Sequence, residues 1–424
     1  MSSIAPLSST GKPATPGQPP RAPLKLLDVA LAELLGFAAP LAPSQSVSSF
    51  DADGRVLAQN LRASLDVPAH DNSSMDGYAV RCSDWLSADT LLAVSQRIAA
   101  GSTGHMLAPA SVARIFTGAP IPPGADAVVM QEDCEAVDGS IRIRQQPRLG
   151  QWIRRRGEDV ASGALVLRCG ERLSPASLGL AASIGFATLQ VAPRVRVALF
   201  STGDELVMPG EVAPSDMKPG AIYNSNRFFL KALLQRLGCI VTDLGIVPDK
   251  LAATIAALDG ASRHHDLILT SGGVSVGDED HIKPAVQALG ILSLWQIAIK
   301  PGKPFAYGKI DSAHFMGLPG NPVSSFVTFL LLVRPFILKL QGALDVVPQS
   351  IAIRADFDWP KADKRREFLR VRFNPAGGLD LFDNQSSGVL TSAAWGDGLV
   401  DNPAGQTIAR GDTVRFLPFS ALQS

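Results

Sequence analysis

Cysteine is scarce in this 424-residue chain: Cys82, Cys134, Cys169 and Cys239 stand far apart, with no Cys-x-x-Cys pair. That spacing excludes a disulfide framework and a zinc site, and suits reduced thiols in a cytoplasm. The 6 histidines form no helical ligand pair; His264 and His265 are adjacent and point to different faces. Charge is not in surplus of either sign, with 39 basic against 39 acidic residues. A general nucleic-acid binder, which carries a basic excess, is therefore excluded. The greasiest run, 326–333, is stopped by Arg334 and Pro335. It is too short to span a bilayer and predicts a buried helix in a soluble protein, with no membrane partner. Residues 1–22 are rich in Pro, Ser and Gly and lack the apolar centre of a signal peptide. They read as a disordered tail.

What is abundant is glycine, 38 residues, and proline, 31, around a hydrophobic content of 46%. Many loops over ample core material suit two to four domains at this length. The spacing of Leu27, Ala30, Leu31 and Leu34 predicts an amphipathic helix over 23–37. Its apolar stripe docks on a larger body or on a second copy of the chain. From 48 to 193, short apolar runs separated by turn signals predict a β-rich first half. At Arg194 the texture changes to strand–loop–helix repetition, with strands expected over 195–200, 240–247, 267–269, 292–299 and 315–318. That alternation predicts a doubly wound, mostly parallel α/β sheet with right-handed crossovers. After Gly342 the pattern turns β again, as a small barrel-like domain.

In such a sheet, ligands bind beyond the carboxyl ends of the strands. Every chemically unusual loop of this region falls there: Thr202-Gly-Asp-Glu205, Pro248-Asp249, Thr270-Ser-Gly-Gly273, Lys300-Pro-Gly-Lys303 and Pro319-Gly-Asn-Pro322. Glycine lets backbone N–H groups approach an anion closely, and Ser271, Gly272, Gly273 and Ser275 form such a cradle. Asp278, Glu279 and Asp280 follow, where a phosphate loop more often places a lysine. Carboxylates beside a phosphate cradle make sense with a divalent cation between them. Glu205, Asp249 and Asp280 could share Mg²⁺ with substrate oxygens, while Lys300 and Lys303 flank a rigid turn suited to a polyanion. Each carboxylate alone also reads as a helix N-terminal cap. No Ser-His-Asp or Cys-His arrangement is visible, so no protein nucleophile is expected.

Other polar clusters are ambiguous by themselves. Asp71, Asn72, Ser73, Ser74 and Asp76 read as an Asx-type turn or as ligand-facing groups. Thr117 and Gly118 sit in a Pro- and Gly-rich loop that is either a rigid connection or a presenter of hydroxyl and bare N–H. Arg154, Arg155 and Arg156, beside Glu158 and Asp159, form a solvated charge run or an anion-facing patch. Lys364, Arg365, Arg366 and Arg370, with the 383–388 loop, are surface groups or the rim of a cleft.

Taken together, Asp71-Asn-Ser-Ser-Met-Asp-Gly-Tyr-Ala79, Phe116-Thr-Gly-Ala119, Gly157-Glu-Asp159, Ser201-Thr-Gly-Asp-Glu205, Ser271-Gly-Gly-Val-Ser-Val-Gly277, Lys300-Pro-Gly-Lys-Pro304 and Gly317-Leu-Pro-Gly-Asn-Pro322 resemble the motifs of the MoeA family. These are the molybdopterin molybdenumtransferases, related to the E domains of gephyrin and of its plant counterpart. The match runs in order from about Lys25 to the C-terminus, and it departs at Asp278, where many members carry glutamate. The resemblance implies a discontinuous domain I (23–61 and 156–193), an inserted domain II (62–155), the α/β molybdopterin-binding domain III (194–341) and a C-terminal β-domain IV (342–424). It implies the last step of molybdenum cofactor synthesis, in which adenylyl-molybdopterin and molybdate give the cofactor and AMP with Mg²⁺. It also implies a homodimer whose cleft lies between domain III of one subunit and domain II of the other. Carried over by motif, Asp76, Thr117, Asp159, Glu205, Asp249 and Asp280 are functional, Lys300 and Lys303 meet the anion, and Pro319, Asn321 and Pro322 shape the floor. By looser similarity, Arg366, Arg370 and Ser387 contact an oxyanion. Transient contact with an adenylyltransferase or with apo-molybdoenzymes is a further expectation. Two rival readings remain, a pterin adenylyltransferase on the same sheet and a non-catalytic scaffold.

Overall fold

The computed structural model describes residues 24–273 and 281–423. They form two compact units, one holding the chain up to Ala39, Arg194–Leu338 and everything from Val346 on, the other Pro40–Pro193 and Lys339–Asp345.

The first unit is built on a six-stranded sheet. In chain order its elements are β1 (Arg196–Thr202), α1 (Ser225–Arg236), β2 (Ile240–Val247), α2 (Leu251–Ser262), β3 (Leu267–Ser271), α3 (Ile282–Leu289), β4 (Gly290–Gln296), β5 (Pro304–Ile310) and β6 (Ala313–Leu318). The strands lie in the order β2-β1-β3-β6-β5-β4. β2, β1, β3 and β6 are parallel, while β5 runs antiparallel to both β6 and β4. β1 and β3 hold the centre because Val197 to Phe200 and Leu267 to Leu269 are continuous apolar runs, buried on both faces. Asn224 caps α1 by accepting from the Arg227 N–H at 3.2 Å, and Leu230, Leu233 and Leu234 bury its inner face.

Two expectations for this sheet are corrected. β5 was not anticipated, since Gly308 and Lys309 interrupt its apolar alternation. Gly308 is needed there: a Cβ would lie 2.6 Å from the Ile291 carbonyl oxygen on β4. The strand expected over 292–299 is two strands in two sheets. β4 ends at Gln296, and Ile299–Lys300 pairs in parallel with Arg366 and Glu367 of the C-terminal sheet.

The apolar helix after β6 does not stop at Arg334-Pro335. Pro335 has no N–H to donate, and its ring crowds the carbonyl four residues back. The chain widens to a π turn over Phe329–Val333 and continues as Arg334–Leu340. The whole segment, Pro322–Leu340, is long and apolar enough to cross a membrane, yet 94% of an 18-residue stretch of it is buried inside the protein. It is a core helix.

The C-terminal sheet joins Arg366–Phe373 to Gly398–Asn402, Thr413–Pro418 and Ile351–Arg354, with Leu379–Leu381 on its other side. Leu369, Val371, Val400 and Phe416 are fully or nearly fully buried in its core. The N-terminal helix Leu27–Phe37 packs in this same unit, burying Leu27, Ala30 and Leu34. Phe37 stacks on Tyr307 with centroids 4.7 Å apart, while Leu26 and Val29 stay exposed.

The second unit holds a six-stranded sheet ordered Ala127–Met130, Gly77–Val80, Ser111–Ile115, Leu91–Ile98, Ser140–Ile143 and Cys134–Val137. Both faces bury apolar residues, Ala79 and Ile115 on one and Val80 and Ile141 on the other. A separate core of Leu57, Leu61, Leu173, Leu189 and Val191 lies where Gln45–Ser48 pairs with Thr188–Val191.

Candidate active site

Four parallel strand ends bring their loops to one edge of the sheet. Thr202 ends β1 and Gly203 and Glu205 follow it, Asp249 follows β2, Ser271 ends β3 with Gly272 and Gly273 after it, and Pro319 to Pro322 follow β6. Together with Pro304 at the start of β5 they line a cleft of about 510 Å³. Gly272 has φ +95°, and a Cβ there would lie 3.0 Å from the Thr202 carbonyl oxygen, so only glycine lets these two tips close up.

Asn226 ties the tips together. Its Nδ2 donates to Ser271 Oγ at 2.7 Å and to the Gly320 carbonyl oxygen at 2.7 Å. Asn224 is the cap of α1; the Asn226 side chain, two residues beyond it, reaches across two loops. Ser271 Oγ in turn donates to the Pro319 carbonyl at 3.3 Å. Several polar atoms around this junction are buried and have no hydrogen-bond partner among the described residues: Ser201 Oγ, Asn224 Nδ2, Asn226 Oδ1 and Thr270 Oγ1. Buried polar groups in proteins are nearly always satisfied, so such a cluster marks where a polar ligand fits.

A second polar junction lies where the Lys300-Pro-Gly-Lys303 turn meets the core helix. Gly302 has φ +112°, and a Cβ there would meet Thr328 Oγ1 at 2.5 Å. The hydroxyl of Thr328 beneath the turn, and that of Ser325 three residues earlier on the same helix, are buried with no partner among the described residues. Sequence reasoning passed over both, although hydroxyls inside so greasy a helix were the available signal. The helix N-terminus is met by the C-terminal domain: the Val323 N–H donates to the Ser387 carbonyl at 2.9 Å. Arg370 is buried close by, donating to Ser392 Oγ, the Phe368 carbonyl and, at 3.4 Å, the Ser386 carbonyl. No carboxylate partners it among the described residues. Burial pushes its guanidinium down to about 10.

Two other cations expected at the anion are engaged elsewhere. Lys300 Nζ lies 3.0 Å from Glu367 and 3.3 Å from Asp363. Arg366 forks onto Asp401 at 2.5 and 2.6 Å and also reaches Asp28 at 2.9 Å. The Asp401 hydrogen bonds hold its guanidinium well above the usual arginine value despite burial. Both arginine and lysine met carboxylates that lie far off in sequence. Lys303 does not line the cleft.

In the second unit, Asp76 and Thr117 are brought together. Thr117 donates to Asp76 Oδ1 from its backbone N–H at 2.8 Å and from its hydroxyl at 2.7 Å. These bonds, the backbone one first, hold the Asp76 carboxyl below its ordinary value. Asp159 is exposed, and its backbone N–H donates to the Val67 carbonyl at 3.1 Å. The neighbouring arginines are exposed but ion-paired: Arg155 with Asp71 at 2.7 Å and Arg156 with Asp66 at 2.6 Å.

Ser275 and Asp280 lie outside the described residues. Among the described residues no group of three or more His, Cys, Asp or Glu side chains could hold a metal ion. Glu205 and Asp249 do line one cleft. One or two carboxylates plus substrate phosphate oxygens form the usual Mg²⁺ environment, so this pair fits a cation brought in with a phosphate ester.

A doubly wound sheet with a glycine turn, carboxylates and unsatisfied hydroxyls at its carboxyl edge defines an anion-binding α/β domain. In sequence it is preceded and followed by β-rich stretches. Family models match three consecutive stretches of the chain: the MoeA N-terminal region (domain I and II) over residues 26–185, a probable molybdopterin binding domain over 198–339, and the MoeA C-terminal region (domain IV) over 352–419. The chain belongs to the MoeA family. It is 41% identical to a molybdopterin molybdenumtransferase of Haemophilus influenzae, over 88% of this chain and 93% of that one. A molybdopterin molybdenumtransferase 2 of Mycobacterium tuberculosis is 38% identical over 83% of this chain and 89% of its own. A crystal structure of a molybdopterin biosynthesis protein MoeA from Pyrococcus horikoshii superposes with a TM-score of 0.74 at 30% identity, covering 94% of this chain and 99% of that one.

Proposed function

We propose that this protein carries out the final step of molybdenum cofactor biosynthesis, inserting molybdenum from molybdate into adenylyl-molybdopterin with release of AMP. The observation that carries the reading is the cleft lined by Gly272, Gly273, Glu205, Asp249 and the Asn226-tied loops on a domain of this family. The Gly272 N–H is held by the Leu318 carbonyl at 3.0 Å, so the Gly273 amide is the one that binds a pyrophosphate oxygen, approaching with no β-carbon in the way. Glu205 and Asp249, with Asp280, would hold Mg²⁺, which neutralises charge on the phosphoanhydride when bound. Arg370, Lys303, Ser387 and the buried hydroxyls of Ser325 and Thr328 orient the oxyanion near the Lys300–Lys303 turn. Lys300 braces that turn through Glu367 and Asp363.

The protein acts as a homodimer in which Asp76, Thr117 and Asp159 of one copy complete the cleft of the other. The four free cysteines suit a reducing cytoplasm. The activity is tested by AMP release from adenylyl-molybdopterin with molybdate and Mg²⁺, using the unaltered chain and Asp280→Asn. The unaltered chain should release AMP and Asp280→Asn should not, with fold and oligomeric state unchanged. Normal turnover in the variant would overturn the role given to Asp280, and no AMP release by the unaltered chain would overturn the function. Adenylylation of molybdopterin by ATP would point instead to the adenylyltransferase.

A further inference from the structure

A second cavity, of about 950 Å³, adjoins the polar cleft: Tyr223 and Ser225 line both. Its walls come from α1, the core helix and the C-terminal domain, and they are aromatic. Phe229 and Phe326 meet edge to face at 5.7 Å, and Phe326 meets Phe419 the same way at 5.4 Å. The Tyr223 hydroxyl donates to the Val212 carbonyl at 2.7 Å, which fixes that ring at the junction of the two spaces. Phe228 and Phe373, also lining the cavity, are 53% and 47% exposed. Large rings lining a concave space suit a flat heterocycle, which stacks without losing rotamer freedom of its own.

One charged group stands among these rings. Asp397 lines the cavity and accepts from the Phe373 N–H through Oδ2 at 3.0 Å, while Oδ1 accepts nothing among the described residues. A carboxylate pairs best with two adjacent donors. The 2-amino-4-oxopyrimidine edge of a pterin offers them, from its exocyclic amine and N3–H. Adenine sets its amine beside a ring acceptor and cannot make the same pair. We propose that the aromatic cavity binds the pterin ring of the substrate, with Asp397 on its 2-amino edge, while the adjoining cleft takes the pyrophosphate. This rests on the insertase activity and assigns the end of the substrate that enters each space.

The test uses the full chain and 2-amino-4-oxopteridine, followed by quenching of the pterin's fluorescence. Lumazine, which carries a carbonyl in place of the 2-amino group, and adenosine serve as competing rings. Saturable quenching is expected, displaced by excess pterin but not by equal lumazine or adenosine. Asp397→Asn keeps an acceptor for the Phe373 N–H and should weaken pterin binding about tenfold or more. Phe228→Ala, at an exposed position, should weaken it as well, and both variants should bind AMP as the unaltered chain does. Absence of saturable quenching, equal affinity in both variants, or displacement by adenosine would each overturn the assignment. AMP release by the unaltered chain is scored separately. Normal release without pterin binding would sink only the ring placement, whereas no release would sink the insertase reading whatever the pterin does.

Discussion

The Lys300 ammonium lies 3.0 Å from Glu367, a carboxylate only 1% exposed that also accepts from the Trp359 indole at 2.7 Å. Burial alone would lower the Lys300 pKa; Glu367 and Asp363 override it and hold it above the ordinary lysine value. Lys300→Met leaves Glu367 buried without its cation. The expected loss is about 3 kcal/mol in denaturant unfolding, the low end for a broken buried pair because the ammonium is partly exposed. Lost activity with unchanged stability would mean that the lysine faces the anion and not this pair.

Arg370 is the counterpart, a buried guanidinium with no carboxylate among its partners. An oxyanion bound near it should stabilise the folded chain, by about 2.7 kcal/mol at a hundredfold excess over Kd. Thermal unfolding with molybdate or tungstate should therefore show an upward shift of Tm. Arg370→Met should abolish that shift. Persistence of the full shift in the variant would exclude Arg370 as the anion's partner.

Asn226→Ala removes the donor that spans Ser271 and Gly320. Leaving those acceptors in a buried place should cost about 1–3 kcal/mol. The loops it holds should loosen, so AMP release should fall more than stability predicts. Hydrogen exchange of the Gly272 and Gly320 amides checks this: faster exchange confined to those tips is expected, and unchanged rates would mean the bridge is dispensable.

His314 supplies a pH dependence. Burial pushes its imidazole down to about 4, and its Nδ1 lies 2.9 Å from the Tyr307 hydroxyl. In the unfolded chain the ring takes up a proton near pH 6.5. Between about 6.5 and 4 the unfolded state binds a proton that the folded state refuses, so stability falls as pH falls through that window. His314→Gln keeps a partner for Tyr307 and should flatten the stability profile there. An identical slope in both proteins would remove His314 as the cause.

Much of this was legible beforehand because β1 and β3 are unbroken apolar runs whose ends break into glycine and acid. Alternating strands and helices then place those ends on one edge, and Glu205, Asp249 and Ser271 do line one cleft there. What pattern could not reach was pairing at long range. Arg365, Arg366 and Arg370 belong to one basic cluster, yet Arg365 turns back to Asp363, Arg366 crosses to Asp401 and Asp28, and Arg370 sinks among carbonyls and a hydroxyl. Which cation stays free depends on acids up to 338 positions away. The strand β5 was hidden for a different reason, since a glycine chosen for close backbone approach erases the side-chain alternation that announces a strand.

Ile299 and Lys300 hydrogen-bond into the C-terminal sheet although the chain around them belongs to the α/β sheet. The lysine turn is thus fastened at its root to a neighbouring module by main-chain bonds. The C-terminal sheet and the turn therefore hold one position as a single piece, with Gly302 set over the Thr328 hydroxyl. Reach toward the anion is then set by where those main-chain bonds anchor the turn, with the flexibility of a lysine side chain a lesser matter.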